Sequence, residues 1–198
     1  SMELVKRGVE VEVLDLRFHP EDWREKLRAR LGSDVLLVGL TVMSGTPIAS
    51  AMEIGAYVKS LDRDVKVVWG GPHVTFAPET VFDDPSVDFA ISGYGSKPFD
   101  ELVRALEAED EGLLAQVSGL SYRKGGGVVR VPEIKAFEDI DYREIPYDLI
   151  RDYTAYGQLD KGRTIFSMYS VHGCPYKCTF CSSPAQYKGT KGKVWVPL

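Results

Sequence analysis

Residues 9–16 read VEVEVLDL, with Val9, Val11 and Val13 alternating against Glu10 and Glu12. A period of two predicts a strand with one wet face. Pro20 opens the next segment, in which Trp23, Leu27 and Leu31 recur every fourth residue. Glu21 and Asp22 lie in its first turn, Arg28 and Arg30 near its end and Gly32 just beyond. That order predicts a helix with one buried stripe and charges matched to its dipole. Residues 35–42, VLLVGLTV, are apolar on both faces, as an interior parallel strand is. Thr46 and Pro47 then read as N-cap and first position of a helix whose inner face holds Ala51, Ile54, Val58 and Leu61. Residues 65–69 form a further buried strand, ending in Gly70-Gly71-Pro72, and residues 87–91 another, ending at Gly93. From Pro98 onward, Phe99, Leu102, Val103 and Leu106 have helical spacing. Alternating strands and helices predict an α/β domain with a parallel sheet covered on both faces.

The pattern changes after residue 110. Residues 120–123 and 128–131 flank Lys124-Gly125-Gly126-Gly127, a β-hairpin at the sheet edge or over it. Residues 132–163 are polar and aromatic, broken by Pro132 and Pro146. They read as a linker that wraps rather than floats, because Phe137, Ile140, Tyr142, Ile145, Tyr147, Leu149 and Ile150 need cover. Residues 164–171, TIFSMYSV, start a fresh strand that runs into Gly173-Cys174. The resulting division is a first domain over 3–131, a linker over 132–163 and the start of a second domain over 164–198. Ser1, ahead of Met2, reads as the remnant of a cleaved tag.

Composition narrows the function classes. Hydrophobic residues make up 44% and charged residues 27% of 198, enough apolar matter for a core. Lys and Arg number 24 against 29 Asp and Glu, a net charge of −5, which argues against a nucleic-acid partner held by bulk charge. The longest apolar run falls far short of the ~18 residues of a membrane span. No secretory h-region is visible at the N-terminus, so a reducing, cytoplasmic setting is expected.

All three cysteines fall in Cys174-Pro-Tyr-Lys-Cys178-Thr-Phe-Cys181. Three thiols at such spacing can close on one soft metal centre: zinc, Cu(I) or an iron–sulfur cluster. A zinc site would need His172 or a distant fourth ligand, and zinc sites usually show a second ligand pair, which is missing here. Three thiolates on a four-iron cluster would leave one iron open to a cosubstrate. Chance clustering of unrelated cysteines is the remaining reading.

This C-x3-C-x2-C string, with Phe180 before the last cysteine and a strand before the first, resembles the radical S-adenosylmethionine signature. The resemblance implies that Cys174, Cys178 and Cys181 hold a [4Fe–4S] cluster whose open iron chelates S-adenosylmethionine. Phe180 would lie at the adenine, and Tyr176 reads as loop packing. An electron donor such as flavodoxin or ferredoxin and a small-molecule substrate are then implied.

The stretches DVLLVGLTVMSG, VVWGGPHVTFAPE and VDFAISGYGSKPFDELVRAL are similar to the cobalamin-binding domain that precedes the radical core in one branch of that superfamily. The similarity runs over roughly residues 3–107 and implies a Rossmann-like (flavodoxin-like) sheet with the ligand at the carboxyl ends of the strands. Gly70 and Gly71 would pass close to the nucleotide tail, Thr41, Val42, Met43 and Ser44 would line it, and Gly93, Tyr94 and Gly95 would complete the wall. His73 fits the family's Gly-Gly-Pro-His-x-Thr stretch and is expected at the cofactor edge rather than on cobalt, since no Asp-x-His-x-x-Gly string follows the first strand. Simpler readings stand beside these: a turn at Gly70-Gly71-Pro72, a helix cap at Thr46, a core position for Met43.

Two departures bear on the implied function. Gly93-Tyr94-Gly95-Ser96 stands where the family has Gly-Glu-Gly-Glu, so both carboxylates are gone. Glu3–Gly8 resembles the tail of the first helix of such a domain, so the first βα unit is expected to be missing and a sheet edge left open to self-association. The expected function is the front section of a cobalamin-dependent radical enzyme that transfers a methyl group, inactive as this piece alone. The alternatives are a methylthiotransferase- or cyclase-like radical enzyme whose front domain binds no cobalamin, and a zinc-stabilised binding module.

Overall fold

A computed structural model describes residues 2–133, 145–150, 158–160, 163–165, 171–174, 176, 178–182 and 195–197. It divides into two compact units, Arg24–Lys135 on the one hand and Met2–Trp23 with Ala136–Leu198 on the other.

The first unit is built on a five-stranded sheet in the order β1-β2-β3-β4-β5. Strands β1 (Leu37–Thr41), β2 (Lys66–Gly70) and β3 (Phe89–Ile91) are parallel, with Val38 opposite Val67 and Val68 opposite Phe89. Strands β4 (Leu120–Lys124) and β5 (Gly127–Arg130) form the hairpin, which closes through Gly125 and Gly126 and adds to the sheet edge antiparallel to β3. The architecture is α/β as the alternation implied, with the hairpin making the sheet mixed.

Helix α3 (Thr46–Leu61) packs its Gly55 near Val67, while α5 (Ser96–Glu107) lays Leu102 and Ala105 into a cluster with Val68, Phe89, Ile91, Leu120 and Tyr122. Neighbouring strand residues point to opposite faces, so the two helices cover opposite sides of β2. Val67, Val68 and Trp69 are consequently all buried. Lys59 of α3 reaches the start of β2, donating from Nζ to the Val65 carbonyl at 2.9 Å and pairing with Asp88 Oδ2 at 2.6 Å. That carboxylate also accepts the Val67 N–H at 2.7 Å. Arg123 of β4 donates to the carbonyls of Phe82 and Asp84, fixing the turn that leads into β3.

Several elements differ from the pattern reading. Helix α3 is capped by Gly45 at φ 102°, with no side-chain cap bond, so Thr46 begins the helix instead of capping it. Helix α2 is short, Trp23–Arg28, and Leu27 is its buried residue. Strand β1 is partly exposed despite its apolar sequence, because β2 is its only partner among the described residues. The Leu36 carbonyl and the Val42 N–H bond towards β2. The backbone polar groups of Leu37, Gly39 and Thr41 therefore face the other way, where nothing among the described residues pairs with them.

In the second unit, helix α1 spans Met2–Lys6. Val9–Leu14 forms no strand, contrary to the alternation. A period-two pattern sets which face a strand would bury but supplies no partner, and no ladder forms there among the described residues. Asp15 then caps a tight turn over Leu16–Phe18 by accepting the Arg17 N–H. Two short antiparallel pairs follow: β6 (Gln158–Asp160) with β7 (Arg163–Ile165), and β8 (Val171–Gly173) with β9 (Trp195–Pro197). The strand expected over 164–171 begins in β7 and ends in β8, with residues 166–170 outside the described ones. Most of the expected linker also lies outside them, including Phe137, Ile140 and Tyr142; Tyr147–Leu149 makes one helical turn. Among the described residues no helix is long and apolar enough to cross a membrane.

Candidate functional site

Parallel strands deliver their following loops to one rim, which is where α/β sheets bind ligands. Here that rim comprises Val42–Gly45 after β1, Gly70-Gly71 and the short helix α4 (Pro72–Phe76) after β2, and Ser92–Gly95 after β3. The three loops are laced together. Val42 N–H donates to the Gly70 carbonyl at 2.8 Å, and His73 N–H donates to the Val42 carbonyl at 3.0 Å. Thr75 Oγ1 donates to the Gly71 carbonyl at 3.1 Å and accepts the Gly93 N–H at 2.9 Å. Ser92 donates from Oγ to the Val74 carbonyl at 3.2 Å, and its N–H donates to the Gly119 carbonyl at 3.0 Å. These bonds join the three loops to one another.

The two adjacent glycines do different work. Gly71 has φ 91°, and a Cβ there would come within 3.1 Å of the Val42 carbonyl oxygen and 3.2 Å of the Val42 nitrogen. Its bare backbone serves the close approach of α4 to the end of β1. A Cβ on Gly70 would meet only the Ile91 carbonyl oxygen, at 3.8 Å, an ordinary contact. Of the two, Gly70 is the one that leaves room for a ligand.

The residues expected to line the tail separate in the same way. Val42 is fully buried and offers the rim only its backbone. Thr41, Met43 and Ser44 are exposed, Met43 with 54% of its surface, and Tyr94 on the facing loop is also exposed. Gly93, at φ 83°, lies under Glu133, whose carboxylate fills the space a Cβ would take. Glu133 thus brings a carboxylate to the loop in which Tyr94 and Ser96 stand where the similar family has glutamates. No sequence signal marked it, since it lies after the hairpin and far from that loop. Gly95 ends the loop and leads into α5.

His73 is buried, with Nδ1 3.2 Å from Ser44 Oγ and Nε2 3.3 Å from Thr80 Oγ1. Both ring nitrogens are occupied by hydroxyls of this chain. Thr75 is the Thr of the Gly-Gly-Pro-His-x-Thr stretch, though that stretch did not give its role, and Thr80 carries no sequence signal, because a hydroxyl that bonds across loops leaves no periodic trace.

In the second unit Cys174 is half-buried, and Cys178 and Cys181 are exposed. The Cys181 N–H donates to the Cys178 carbonyl at 3.2 Å, which folds the loop into a turn. Phe180 is 92% exposed and Tyr176 72% exposed, so neither packs the loop, contrary to the packing role expected of Tyr176. Among the described residues no three His, Cys, Asp or Glu side chains are gathered so as to hold a metal ion. The spacing suits a cluster, but the thiols do not converge.

A sequence profile described as the B12 binding domain matches residues 3–103. The chain belongs to the B12-binding domain family. It is 35% identical over 165 residues to the "Uncharacterized methyltransferase PH0819" of Pyrococcus horikoshii, covering 80% of this chain and 33% of that one. It is 32% identical over 133 residues to the "Cobalamin-dependent radical SAM methyltransferase TokK" of Streptomyces tokunonensis, covering 66% of this chain and 19% of the relative. Among solved structures it resembles the radical S-adenosylmethionine methyltransferase TsrM from Kitasatospora setae with cobalamin and a [4Fe-4S] cluster bound. That match has a TM-score of 0.59 and 26% identity, over 82% of this chain and 26% of the other. The chain thus spans a third or less of the length of these relatives. The residues of the rim are compatible with the ligand of a B12-binding domain: a glycine with room for a small side chain at the end of β2, exposed Met43 and Ser44 on one side, and Tyr94 on the other.

Proposed function

We propose that this chain holds cobalamin on the rim above Gly70, as the front part of a radical S-adenosylmethionine methyltransferase acting on a small-molecule substrate. The room beside Gly70, where an added Cβ would meet only the Ile91 carbonyl oxygen at 3.8 Å, within loops joined by hydrogen bonds, is the observation that carries this reading. Bound cobalamin supplies methyl-group transfer; the chain supplies a place for it. Thr41, Met43 and Ser44 would flank one edge, Gly93, Tyr94 and Gly95 the other, with Val42, Gly71 and His73 shaping the rim from beneath. Because those loops do not have to be ordered on binding, little conformational entropy is lost there.

Cys174, Cys178 and Cys181 are proposed as the ligands of a [4Fe–4S] cluster, with Phe180 beside S-adenosylmethionine, an external electron donor such as flavodoxin or ferredoxin, and a cytoplasmic setting. The described loop does not gather the thiols, so no reaction step is derived through them. Turnover by this chain alone is not expected.

The test is a titration of the chain with hydroxocobalamin, followed by gel filtration with detection in the visible. Co-elution in a one-to-one ratio, lost in Gly70→Leu, is expected. Absence of any uptake by the folded chain would overturn the reading. Anaerobic reconstitution with iron and sulfide, compared with the triple Cys→Ala variant, tests the cluster assignment separately: zinc without sulfide would overturn it.

A further inference from the structure

His73 joins a chain of hydroxyls that runs from Thr80 to Ser44 at the rim. Thr80 Oγ1 donates its single proton to the Ala77 carbonyl at 2.9 Å. With its proton placed there it accepts from His73 Nε2, 3.3 Å away, and in that arrangement Nε2 carries the ring proton. Nδ1 is then a lone pair, and the Ser44 hydroxyl 3.2 Å away must donate to it. Ser44 itself is exposed at the rim, next to Met43 and to Gly45, whose surroundings are open. Its proton is then committed inward, and its two lone pairs are left to accept. From the solvent side Ser44 offers an acceptor and no donor.

We infer that the hydrogen bonds run in this direction and that Ser44 is a polarity-selecting residue, held as a hydrogen-bond acceptor by the buried His73 and the exposed Thr80 behind it. Its ligand partner is an N–H or O–H group. This rests on the cobalamin reading above and deepens it: the group above Ser44 is a carboxamide N–H of the corrin rim or a ribose hydroxyl, not the lone-pair nitrogen of the tail's benzimidazole. Two acceptors face to face would leave that nitrogen unpaired in a closing site, which disfavours the alternative placement. His73 acts through Ser44 and is a positioning residue.

The experiment has two arms. In the first, long-range nitrogen–proton spectra of the ¹⁵N-labelled chain without ligand report the tautomer of His73. A protonated-type shift at Nε2 with a lone-pair-type shift at Nδ1 is expected; the opposite pattern would overturn the inference whatever the chain binds. In the second, hydroxocobalamin affinity is measured for the parent, Ser44→Ala, His73→Leu and His73→Asn. Loss of one neutral hydrogen bond weakens binding by roughly fivefold in Ser44→Ala. His73→Leu should lose a similar factor, because it frees the Ser44 proton, and His73→Asn should recover much of it, since its carbonyl can accept that proton. Parent-like affinity in Ser44→Ala overturns the inference while leaving the cobalamin reading intact. A parent that binds no cobalamin overturns the reading and the assigned donor with it, and the tautomer spectrum still decides the polarity of Ser44.

Discussion

Replacing Gly71 and Gly70 by alanine, one at a time, separates a glycine that the fold requires from one that the ligand requires. Gly71 sits at φ 91° and ψ −171°, a region that residues with a Cβ avoid at a cost of about 1–3 kcal/mol. The added methyl would also stand 3.1 Å from the Val42 carbonyl oxygen and 3.2 Å from its nitrogen. That backbone cannot easily retreat, because it is held by the 2.8 Å bond to the Gly70 carbonyl and the 3.0 Å bond from the His73 N–H. Overpacking of this kind adds roughly 1–3 kcal/mol. Gly71→Ala should therefore cost about 2–6 kcal/mol in all, a large share of the stability of a small domain. In Gly70→Ala the new methyl finds only the Ile91 carbonyl oxygen, at 3.8 Å, an ordinary contact. Its stability should stay within about 0.5 kcal/mol of the parent, while the space over the rim is reduced. Urea unfolding followed by tryptophan fluorescence measures the first quantity, with the buried Trp69 as reporter, and cobalamin titration measures the second. Equal stability of Gly71→Ala and the parent would refute the close-approach argument. Unchanged cobalamin affinity in a stable Gly70→Ala would move the ring away from the end of β2.

Leu102, fully buried in the cluster under α5, should cost about 2–5 kcal/mol as alanine, read as a shift in the urea midpoint. Lys59→Met removes the ion pair to Asp88 and the donor to the Val65 carbonyl, a partly buried pair, and should cost about 1–2 kcal/mol in the same assay. Asp88→Asn keeps an acceptor for the Val67 N–H and should cost less. The Glu111 carboxylate, hydrogen-bonded to Lys124 at 2.8 Å, raises the lysine above its ordinary 10.5, so the pair stabilises the fold below that pH and fades as pH climbs through the raised value. The pair is fully exposed, so the difference between the parent and Lys124→Met should be small at neutral pH and vanish in strong alkali; a difference that grows with pH would contradict it.

Much of the first unit could be read from the chain. Residues 35–42, 65–69 and 87–91 carry strand patterns, and the glycines of the hairpin turn fell where expected, because these signals are local. Val9–Leu14 shows the limit of that reasoning. The alternation of valine and glutamate is a sound statement about faces, yet a strand exists only where another backbone meets it. Strand β1 shows the same limit in reverse, apolar on both sides but paired on one among the described residues. At the site, residue types at the strand ends were visible in sequence, and their separate duties were not. Val42 and Met43 are adjacent and both apolar, yet one is fully buried and the other half open. The cysteine spacing was legible at once, whereas whether the thiols converge depends on the tertiary frame around the loop.

The same distinction bears on the proposal that the rim holds a large, flat ligand. A loop that supplied only side chains would have to order them on binding and lose their entropy. Here the ordering is carried by backbone and by hydroxyls that point inward: Thr75 joins Gly71 to Gly93, Ser92 joins Val74 to Gly119, and His73 joins Ser44 to Thr80. What remains outward is bare Gly70 and a few exposed groups of fixed polarity. A ring laid there meets a surface whose shape is set by bonds beneath it, so a variant that breaks one of those buried ties should loosen cobalamin without any lost direct contact. Thr75→Val, which removes the hydroxyl between Gly71 and Gly93 but keeps the volume, isolates that effect. It should weaken cobalamin binding while Thr75→Ser, which keeps the hydroxyl, restores it. Equal affinity of Thr75→Val and the parent would show that the rim's order does not depend on that tie.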